Sequence, residues 1–327
     1  MRAIRLHAFG PPGNLRYEEV DDPAPGPRQA RIAVAAAGVH LIDTVIRSGR
    51  PQGPLTLPAL PAIPGREVAG TADAVGAGVD EGLVGRRVVA HLGAGGGGGY
   101  AELAVADAGA LHLIPDGVAD DAAVAMIGTG RTALAVLEVA QLTAEDVALV
   151  TAAAGGLGSL LVQAARHAGA TVVGAAGGAA KVQRVRALGA DLAVDYSAAD
   201  WMATVRDRLD GRPVTVALDG VGGPLGRTAL ELLGPGGRLI LFGSASGELT
   251  RLTAGDLLSR GLTAAAAIGP RILQRPGGLR DLEERALAAA AKRELVPLVD
   301  RFPLAEAAAA HAAVEARATV GKTVLVP

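Results

Sequence analysis

Apolar and polar residues follow two different rhythms along the chain. Up to about residue 115, short apolar runs are broken by proline and glycine, and this spacing predicts a mostly antiparallel, irregular β domain. The clearest runs are residues 31–37, 68–71, 87–91 and 111–114. Residues 51–64 hold five prolines and predict a loop. Residues 93–99 are almost all glycine and predict a flexible surface connection, with a lid as the alternative.

From Asp120 onward, helices of about ten residues alternate with apolar strands, which is typical of a doubly wound parallel sheet. The predicted helices are residues 120–127, 131–139, 180–188, 201–209, 225–233, 279–292 and 304–315, and the predicted strands are residues 170–174, 192–195, 214–218, 238–242 and 322–326. The last elements are expected to return to the first domain. We therefore predict a β-rich domain of residues 1–120 with a return at 266–327, and an α/β domain of residues 121–265.

The most informative segment, residues 147–174, predicts a strand, a tight turn, a helix and a second strand. Gly155 and Gly158 let the backbone turn sharply and approach a pyrophosphate at the helix N-terminus, where free N–H groups and the helix dipole favour anions. The apolar stripe of residues 157–168 suits packing on a sheet. Ala153 replaces the first glycine of the usual G-x-G-x-x-G motif, so a simple βα turn is the alternative.

Composition and charge narrow the function classes. At 327 residues the chain exceeds the usual size of a single core, so two domains are expected. A net charge of −2, with three Tyr, three Phe and one Trp, offers no surface for nucleic acid or an anionic membrane. The absence of cysteine excludes disulfides and thiolate metal sites. The first residues lack the apolar core of a secretion signal, so we expect a cytoplasmic protein.

Several separated strings match one known pattern. They are residues 36–49, Pro-Gly-Arg-Glu at 64–67, Gly-Tyr-Ala-Glu at 99–102, Gly-Gly-Leu-Gly at 155–158, Leu-Gly-Ala-Asp at 188–191, Asp-Gly-Val-Gly at 219–222, Phe-Gly at 242–243 and residues 315–322. Together, and in this order, they resemble the zinc-free, zeta-crystallin-like quinone oxidoreductases of the medium-chain dehydrogenase/reductase superfamily. The resemblance implies an α/β protein with a GroES-like catalytic domain and a Rossmann domain.

The residues that follow the second strand of the nucleotide unit indicate which cofactor the protein prefers. An NAD site typically has an Asp or Glu after this strand, whereas a 2′-phosphate requires cations. After Val173 the chain has small residues and then Lys181, with no acid between them, so we expect NADPH. By resemblance, Gly174 leaves room for the phosphate and Lys181 pairs with it. The resemblance also implies that Tyr196 lies against the adenosine end of the cofactor. It further implies that Arg317 reaches this end from the C-terminal segment.

The same resemblance implies three further groups of cofactor contacts. They are the backbone of Gly155, Gly156, Leu157 and Gly158 under the pyrophosphate, Thr129 and Thr132 beside the nicotinamide ribose, and Phe242, Gly243 and Ser244 beside the nicotinamide. Arg131 replaces an apolar residue that the family has between the two threonines. For residues 242–244, a buried strand terminus is the alternative.

No metal site is expected. Zinc-bearing relatives place a Cys after a Gly-Val pair and use Gly-His-Glu, where this chain has His40 and Gly65-Arg66-Glu67. A cationic Arg66 in place of a neutral imidazole repels a divalent metal. A catalytic zinc also needs three protein ligands, and His40 with Glu67 does not supply them.

Catalysis is therefore expected to rest on positioning, with the nicotinamide supplying hydride to a small-molecule electrophile, a quinone or an α,β-unsaturated carbonyl. The family's Asn after Gly-Val is His40 here, and its Tyr two positions beyond Asp43 is Val45. Imidazole titrates near neutrality, so His40 is the candidate proton donor, with a structural role as the alternative. Asp43 is expected to orient the loop, and Arg47 to pair with Glu67.

Two alternative functions and one assembly question stay open. An enoyl-thioester or alkenal reductase would share the fold, so the fold cannot decide between acceptors. A non-catalytic, NADPH-binding protein, as lens crystallins of this lineage suggest, is the alternative of another class. Residues 262–268 predict an apolar edge strand. The resemblance suggests that this edge pairs in a homodimer, with a buried strand as the alternative.

Overall fold

The computed structural model describes residues 1–50, 57–93 and 97–327, and the chain folds into two compact units. Unit 1 comprises Met1–Thr129, Leu287–Arg293 and Pro297–Pro327, and unit 2 comprises Gly130–Ala286 and Glu294–Val296. Both divisions fall later in the chain than the predicted borders at residues 120 and 265. The predicted loops at 51–64 and 93–99 lie partly outside the described residues.

Strands and helices follow in this order. The strands are β1 Arg2–Leu6, β2 Leu15–Glu19, β3 Gln29–Val39, β4 Glu67–Val75, β5 Arg87–His91, β6 Leu103–Asp107, β7 Leu111–Leu113, β8 Val147–Val150, β9 Thr171–Ala176, β10 Leu192–Asp195, β11 Val214–Asp219, β12 Leu233–Leu241, β13 Thr263–Ala266, β14 Val299–Pro303 and β15 Lys322–Val326. The helices are α1 Leu41–Arg47, α2 Asp120–Ala125, α3 Arg131–Ala140, α4 Gly156–His167, α5 Ala179–Ala187, α6 Trp201–Arg208, α7 Gly223–Leu232, α8 Ala254–Arg260, α9 Pro270–Leu273, α10 Gly278–Ala291 and α11 Ala307–Glu315.

The main sheet of unit 1 is organised around the long strand β3. The strand order is β14-β15-β3-β4-β5-β7, with β6 also paired to β3, and only β14 and β15 run parallel. Ala30, Ile32 and Val34 alternate into the core as the two-residue period of a strand requires. The register with β4 shifts between Arg31 and Ile32 and again between Val34 and Ala36, as at β-bulges. The predicted antiparallel, irregular β domain is confirmed.

Unit 2 is a six-stranded, fully parallel sheet in the order β10-β9-β8-β11-β12-β13. The predicted doubly wound sheet is confirmed. The strand order reverses between β8 and β11. In such sheets, ligands bind beyond the carboxyl ends of the strands at the point of reversal. The predicted nucleotide turn follows β8 and therefore lies at this point.

Strand β13 ends the sheet of unit 2 at an edge. Thr263, Ala264 and Ala266 are exposed, so the alternative of a buried strand is wrong. Exposed Leu249 and Leu258 lie nearby in the sequence.

One helical segment of the described chain is long and apolar enough to cross a bilayer. It spans Asp120–Ala140, with a mean hydropathy of 1.4, and consists of α2, a π-helical turn at Met126–Gly130 and α3. Core helices of soluble proteins pass the same test, and 61% of this window is buried inside the protein. We interpret it as a core helix.

Candidate active site

Three chain segments of unit 1 meet beside His40. Strand β3 ends at Val39, β4 begins at Glu67 and β15 begins at Lys322. The register pairs Val68 with Ala37 and Thr323 with Val39, which places the first residues of β4 and β15 next to the end of β3. His40 follows directly, in extended backbone, as the N-cap of α1.

The side chains of His40, Glu67 and Lys322 form a closed triangle of contacts, which we call the His40 cluster. Nε2 of His40 lies 2.6 Å from Oε1 of Glu67 and 2.8 Å from Nζ of Lys322. Nζ of Lys322 lies 2.9 Å from Oε2 of Glu67. The Glu67 and Lys322 side chains are 0% and 4% exposed, whereas that of His40 is 23% exposed. His40 is thus the most solvent-exposed member of the cluster.

Two glycines make room for the buried carboxylate. A Cβ on Gly128 would lie 2.8 Å from Cδ of Glu67 and closer still to Oε1. A Cβ on Gly38 would collide with Oε2 of Glu67 and lie 3.0 Å from Cε of Lys322. Real Cβ atoms do not come so close, so the backbone must be glycine at both positions for the cluster to form.

The charges of the cluster stabilise one another. Burial by itself would raise the pKa of Glu67, but the charges of His40 and Lys322 hold it well below its usual value. Burial lowers the pKa of Lys322, against the opposing pull of the Glu67 carboxylate. Glu67 is therefore ionised, and Lys322 releases a proton more readily than an exposed lysine does.

Asp43 holds the backbone of His40 in place. Its Oδ2 accepts hydrogen bonds from the His40 N–H at 2.8 Å and from the Tyr100 hydroxyl at 3.2 Å, and its Oδ1 accepts one from Nε of Arg66 at 3.1 Å. The side chain is almost fully buried. These contacts hold the segment that carries His40, and the orienting role of Asp43 in the reaction stays a prediction.

Tyr100 continues the network to α11. Nε2 of His311 lies 3.2 Å from the Tyr100 hydroxyl, and the two rings meet edge to face. Burial raises the pKa of Tyr100 well above its usual value, so the neutral hydroxyl donates to Asp43. We therefore assign the Nε2–H tautomer to His311, which donates to Tyr100. Spacing in the sequence indicated no partner for His311.

The pH dependence of stability is expected to report on His311. Burial lowers its pKa to about 4, from 6.5 in the unfolded chain. The unfolded chain therefore takes up a proton first, and the free energy of unfolding falls as the pH drops from 6.5 towards 4. Between pH 7.5 and pH 5 this amounts to about 2 kcal/mol. Urea unfolding followed by circular dichroism should show this loss in the wild type and not in His311→Gln. The matched control is His167→Gln, which alters an exposed histidine. If the free energy of unfolding fell between pH 7.5 and pH 5 by as much in His311→Gln as in this control, His311 would not be the source of the loss.

The expected pair between Arg47 and Glu67 is wrong. Arg47 is the last residue of α1 and is buried against α11, where it forms an ion pair with Glu315 and donates to the carbonyl of Gly10. Glu67 takes His40 and Lys322 as partners instead. Helix α1 places Arg47 against α11 and not beside the start of β4.

The nucleotide turn of unit 2 has the predicted form. Gly155 is the N-cap of α4, and Ala152 adopts a left-handed φ of 48° in the turn. A Cβ on Gly158 would lie 2.8 Å from Cα of Ala153 and closer to the Ala152 carbonyl, so this position brings the helix against the turn. In the part of the chain that the structure describes, no side chain caps α4 and its first turn holds no acid. Its N–H groups therefore suit an anion such as a pyrophosphate.

Packing inside unit 2 requires a glycine at position 174. It lies inside β9, where a Cβ would collide with Cγ1 of Val185 on α5 and lie 3.3 Å from Cβ of Ala153. The glycine lets α5 pack against the sheet. That Gly174 also leaves room for a phosphate stays a prediction.

The end of β9 brings together two predicted residues and one that was missed. A Cβ on Gly177 would lie 3.1 Å from the ring of Tyr196, and Lys181 lies half-buried in the first turn of α5. Asp195, from the end of β10, was not predicted here. Its Oδ1 accepts the N–H groups of Gly178 at 3.0 Å and Ser197 at 2.9 Å, and these bonds lower its pKa. An acid therefore does face this turn, from the neighbouring strand.

A second carboxylate ties the carboxyl ends of β8 and β11 together. Asp219 is fully buried and accepts the hydroxyls of Thr151 at 3.0 Å and Thr250 at 2.5 Å, and the N–H of Val221 at 2.9 Å. The Asp-Gly-Val-Gly string matched the family, but its spacing did not indicate these partners. The bonds fix the loops at the switch point of the sheet.

The residues expected beside the nicotinamide lie in three settings. Thr129 is buried in the π-helical turn, and Thr132 is half-buried in α3. Phe242 directly follows the last residue of β12 and is buried, and its ring fills the space beside Gly220, while Gly243 and Ser244 are half-buried. The structure also shows that Arg131 pairs with Glu283 of α10, and that Arg317 follows α11 as an exposed residue with a φ of 54°. Nothing in these placements assigns a ligand contact.

Residues 1–50, 57–93 and 97–327 contain no group of three or more His, Cys, Asp or Glu side chains that could hold a metal ion. The donors at the expected place fit zinc poorly, because Lys322 occupies the third side of the His40 cluster and presents a cationic group there. A metal-free mechanism stays a prediction.

Comparison with known proteins places the chain in a family. Residues 26–116 match the alcohol dehydrogenase GroES-like domain, and residues 156–284 match the zinc-binding dehydrogenase domain. A quinone oxidoreductase of Pseudomonas aeruginosa is 34% identical over 100% of this chain and 99% of its own length. The chain belongs to the medium-chain dehydrogenase/reductase superfamily, in its quinone oxidoreductase branch. The GroES-like and Rossmann-like folds that the resemblance implied are thereby confirmed, and the chain is an oxidoreductase.

Two further relatives of this branch bear on chemistry. A 2-haloacrylate reductase of a Burkholderia species is 33% identical over 99% of this chain and 98% of its own. The crystal structure of Escherichia coli quinone oxidoreductase complexed with NADPH superposes with a TM-score of 0.87, at 28% identity and 100% coverage of both chains.

Proposed function

We propose that this oxidoreductase uses NADPH to transfer hydride to a quinone or an α,β-unsaturated carbonyl, without a metal. The observation that carries the proposal is the His40 cluster, which backs a half-buried imidazole with two fully buried charged groups. The relatives named quinone oxidoreductase and 2-haloacrylate reductase support this acceptor class.

The turn after β8 suits the pyrophosphate of NADPH. The uncapped N-terminus of α4, with Gly155, Gly156, Leu157 and Gly158, would hold it, and Lys181 and Tyr196 would contact the adenosine end. When bound, NADPH supplies the hydride. The solved E. coli relative carries NADPH, which supports this choice.

The residues of unit 1 supply orientation and a proton. Asp43 fixes the His40 backbone. The imidazole, the most exposed group of the His40 cluster, would donate a proton to the oxygen of a reduced acceptor. Val45, in the place of the family's Tyr, leaves this donation to His40. An alkenal or enoyl-thioester acceptor fits the same requirement, because its reduction also places negative charge on a carbonyl oxygen.

Stopped-flow oxidation of NADPH against quinones, enones and acyl thioesters, with NADH as the control, tests the proposal. Rapid oxidation by at least one conjugated acceptor supports it. Tight NADPH binding with no turnover on any acceptor would favour a non-catalytic binding protein instead.

Cofactor selectivity gives the first prediction on this function. Lys181→Ala should raise the Michaelis constant for NADPH about tenfold, as expected for one lost phosphate pair, and leave that for NADH nearly unchanged. Lys292→Ala, which removes an exposed lysine elsewhere, is the matched control. Steady-state kinetics with both cofactors measures the effect; equal changes for the two would remove Lys181 from the phosphate site.

We further propose a cytoplasmic homodimer that does not bind nucleic acid. The exposed edge of β13 supports pairing between two copies, and the net charge of −2 supports the lack of nucleic-acid binding. Sedimentation velocity, which gives the mass in solution, decides the assembly.

A further inference from the structure

The contacts of the His40 cluster cannot all be ordinary hydrogen bonds at once. Nε2 of His40 faces both Oε1 of Glu67, at 2.6 Å, and Nζ of Lys322, at 2.8 Å. One ring nitrogen either carries a hydrogen and donates, or has a lone pair and accepts. It cannot donate to the carboxylate and accept from the ammonium together.

Two arrangements of the same protons follow. In the first, Lys322 is an ammonium that donates to Nε2, and the Nε2 lone pair then faces the carboxylate with no hydrogen between them. In the second, Nε2 carries the hydrogen and donates it to Glu67, and Lys322 is a neutral amine. The two arrangements hold equal numbers of protons and equal total charge. They differ by one proton that moves over the 2.8 Å between Nζ and Nε2.

Burial decides where such a proton leaves the cluster. Glu67 is 0% and Lys322 is 4% exposed, while His40 is 23% exposed. Of the three, the imidazole alone offers a route to a bound acceptor or to solvent. Glu67 holds the ring, Lys322 lies behind it and His40 faces outward.

We propose that Lys322 is the internal proton source for His40, with Glu67 as the residue that holds the imidazole and balances the charge. This rests on the proposed function, in which reduction of a carbonyl leaves an oxyanion. The Nδ1–H bond of the imidazole breaks and an O–H bond forms on the product, while one N–H bond of the Lys322 ammonium breaks and its proton forms an N–H bond at Nε2. Water then returns one proton to the cluster through His40. Lys322 and Glu67 act through His40 and are positioning residues.

The electrostatic surroundings allow this transfer. Burial lowers the pKa of Lys322, which brings its acidity closer to that of an imidazole. Among the described residues, the other titratable groups that interact with the cluster include Asp43, Arg66, His91 and Tyr100, and burial keeps the Tyr100 hydroxyl neutral. Asp43 and Arg66 pair with each other at 3.1 Å, so their charges largely cancel.

The first test measures proton sharing in the protein without cofactor or substrate. In protein labelled with 15N, the ring shifts of His40, assigned by comparison with His40→Asn, and the Nζ shift of Lys322 should change together at one pH midpoint. Glu67→Gln should lower the His40 midpoint by about one pH unit or more, and Lys322→Met should raise it as much. Lys292→Met is the control and should leave it in place.

The outcomes are distinct even if one variant does not fold. Separate midpoints for His40 and Lys322 in the wild type would overturn the proposal. Shifts of the same sign in folded Glu67→Gln and Lys322→Met would do so as well, because opposite charges must move an imidazole in opposite directions.

The second test separates proton supply from a mere positive charge. Lys322→Arg keeps the charge, but a guanidinium does not give up its proton. Turnover should therefore fall about tenfold both in Lys322→Arg and in Lys322→Met, and the KM for NADPH should stay unchanged. The loss of turnover in both variants should be larger at high pH. Full turnover in Lys322→Arg would overturn the proposal. If the wild type reduces no acceptor, the proposed function fails, and the 15N titration still decides the proton sharing.

Discussion

Replacing Gly128 by alanine is expected to lower turnover about a hundredfold and the free energy of unfolding by about 3 to 5 kcal/mol. The added Cβ would lie 2.8 Å from Cδ of Glu67 and would overlap Oε1. Glu67 is fully buried, so its carboxylate can yield only by breaking its contacts with His40 and Lys322. A buried ion pair that loses one partner leaves an uncompensated charge, and this is the source of the large cost.

A double-mutant cycle isolates this cause. In a Glu67→Ala background the clashing carboxylate is gone, so adding Gly128→Ala should cost less than about 1 kcal/mol. Gly109→Ala is the matched control, because a Cβ there meets nothing within 4 Å. Urea unfolding followed by circular dichroism measures all the variants, and NADPH binding should stay close to wild type. An equal cost of Gly128→Ala in both backgrounds would place its effect elsewhere.

The fold of unit 2 could be predicted because its signals are local. The turn from β8 into α4 depends on Gly155 and Gly158, which lie within four residues, and the alternation of strands and helices has its own period. The exposed edge of β13 was predicted for the same reason. What the local pattern lacked was packing: Gly174 is a glycine because Val185 packs on it, and that contact joins two different elements.

The candidate site of unit 1 could be predicted only in part. The departure from the family pattern singled out His40, and the string that contains Asp43 indicated a positioning role. The partners of His40 were not predictable, since Lys322 lies 282 residues away and reaches it only through the register of β15 with β3. The wrong pair between Arg47 and Glu67 has the same origin, because the partner of Arg47, Glu315, lies on α11 and is 268 residues away.

A contact between the ends of β9 and β10 bears on the choice between NADPH and NADH. The sequence has no acid after β9, which favours NADPH, but the structure brings Asp195 from β10 to the same turn. Its Oδ1 is engaged by two N–H groups, so it braces the loop that precedes Lys181. The carboxylate opposes a phosphate and the lysine favours one. The kinetics of Lys181→Ala with both cofactors therefore measure how far Lys181 attracts the 2′-phosphate against the repulsion from Asp195. The sequence alone indicated only the attraction.

Replacing Gly158 by valine is expected to weaken NADPH binding about a hundredfold and to destabilise unit 2 by about 1 to 3 kcal/mol. The atoms that a Cβ would meet are backbone atoms of Ala152 and Ala153, which cannot rotate away as a side chain can. Helix α4 would have to move off the turn, and its N-terminal N–H groups would lose their alignment with a pyrophosphate.

The single tryptophan makes this prediction measurable. Trp201 is buried in unit 2, so its fluorescence in urea follows the unfolding of that unit, and titration with NADPH gives the affinity. Gly255→Val is the matched control, because Gly255 is exposed on α8 and a Cβ there meets only ordinary contacts. The loss of affinity should be the same for NADPH and NADH, since both carry the pyrophosphate, in contrast to the selective effect of Lys181→Ala. Wild-type affinity in a folded Gly158→Val protein would show that the cofactor does not bind at the turn after β8.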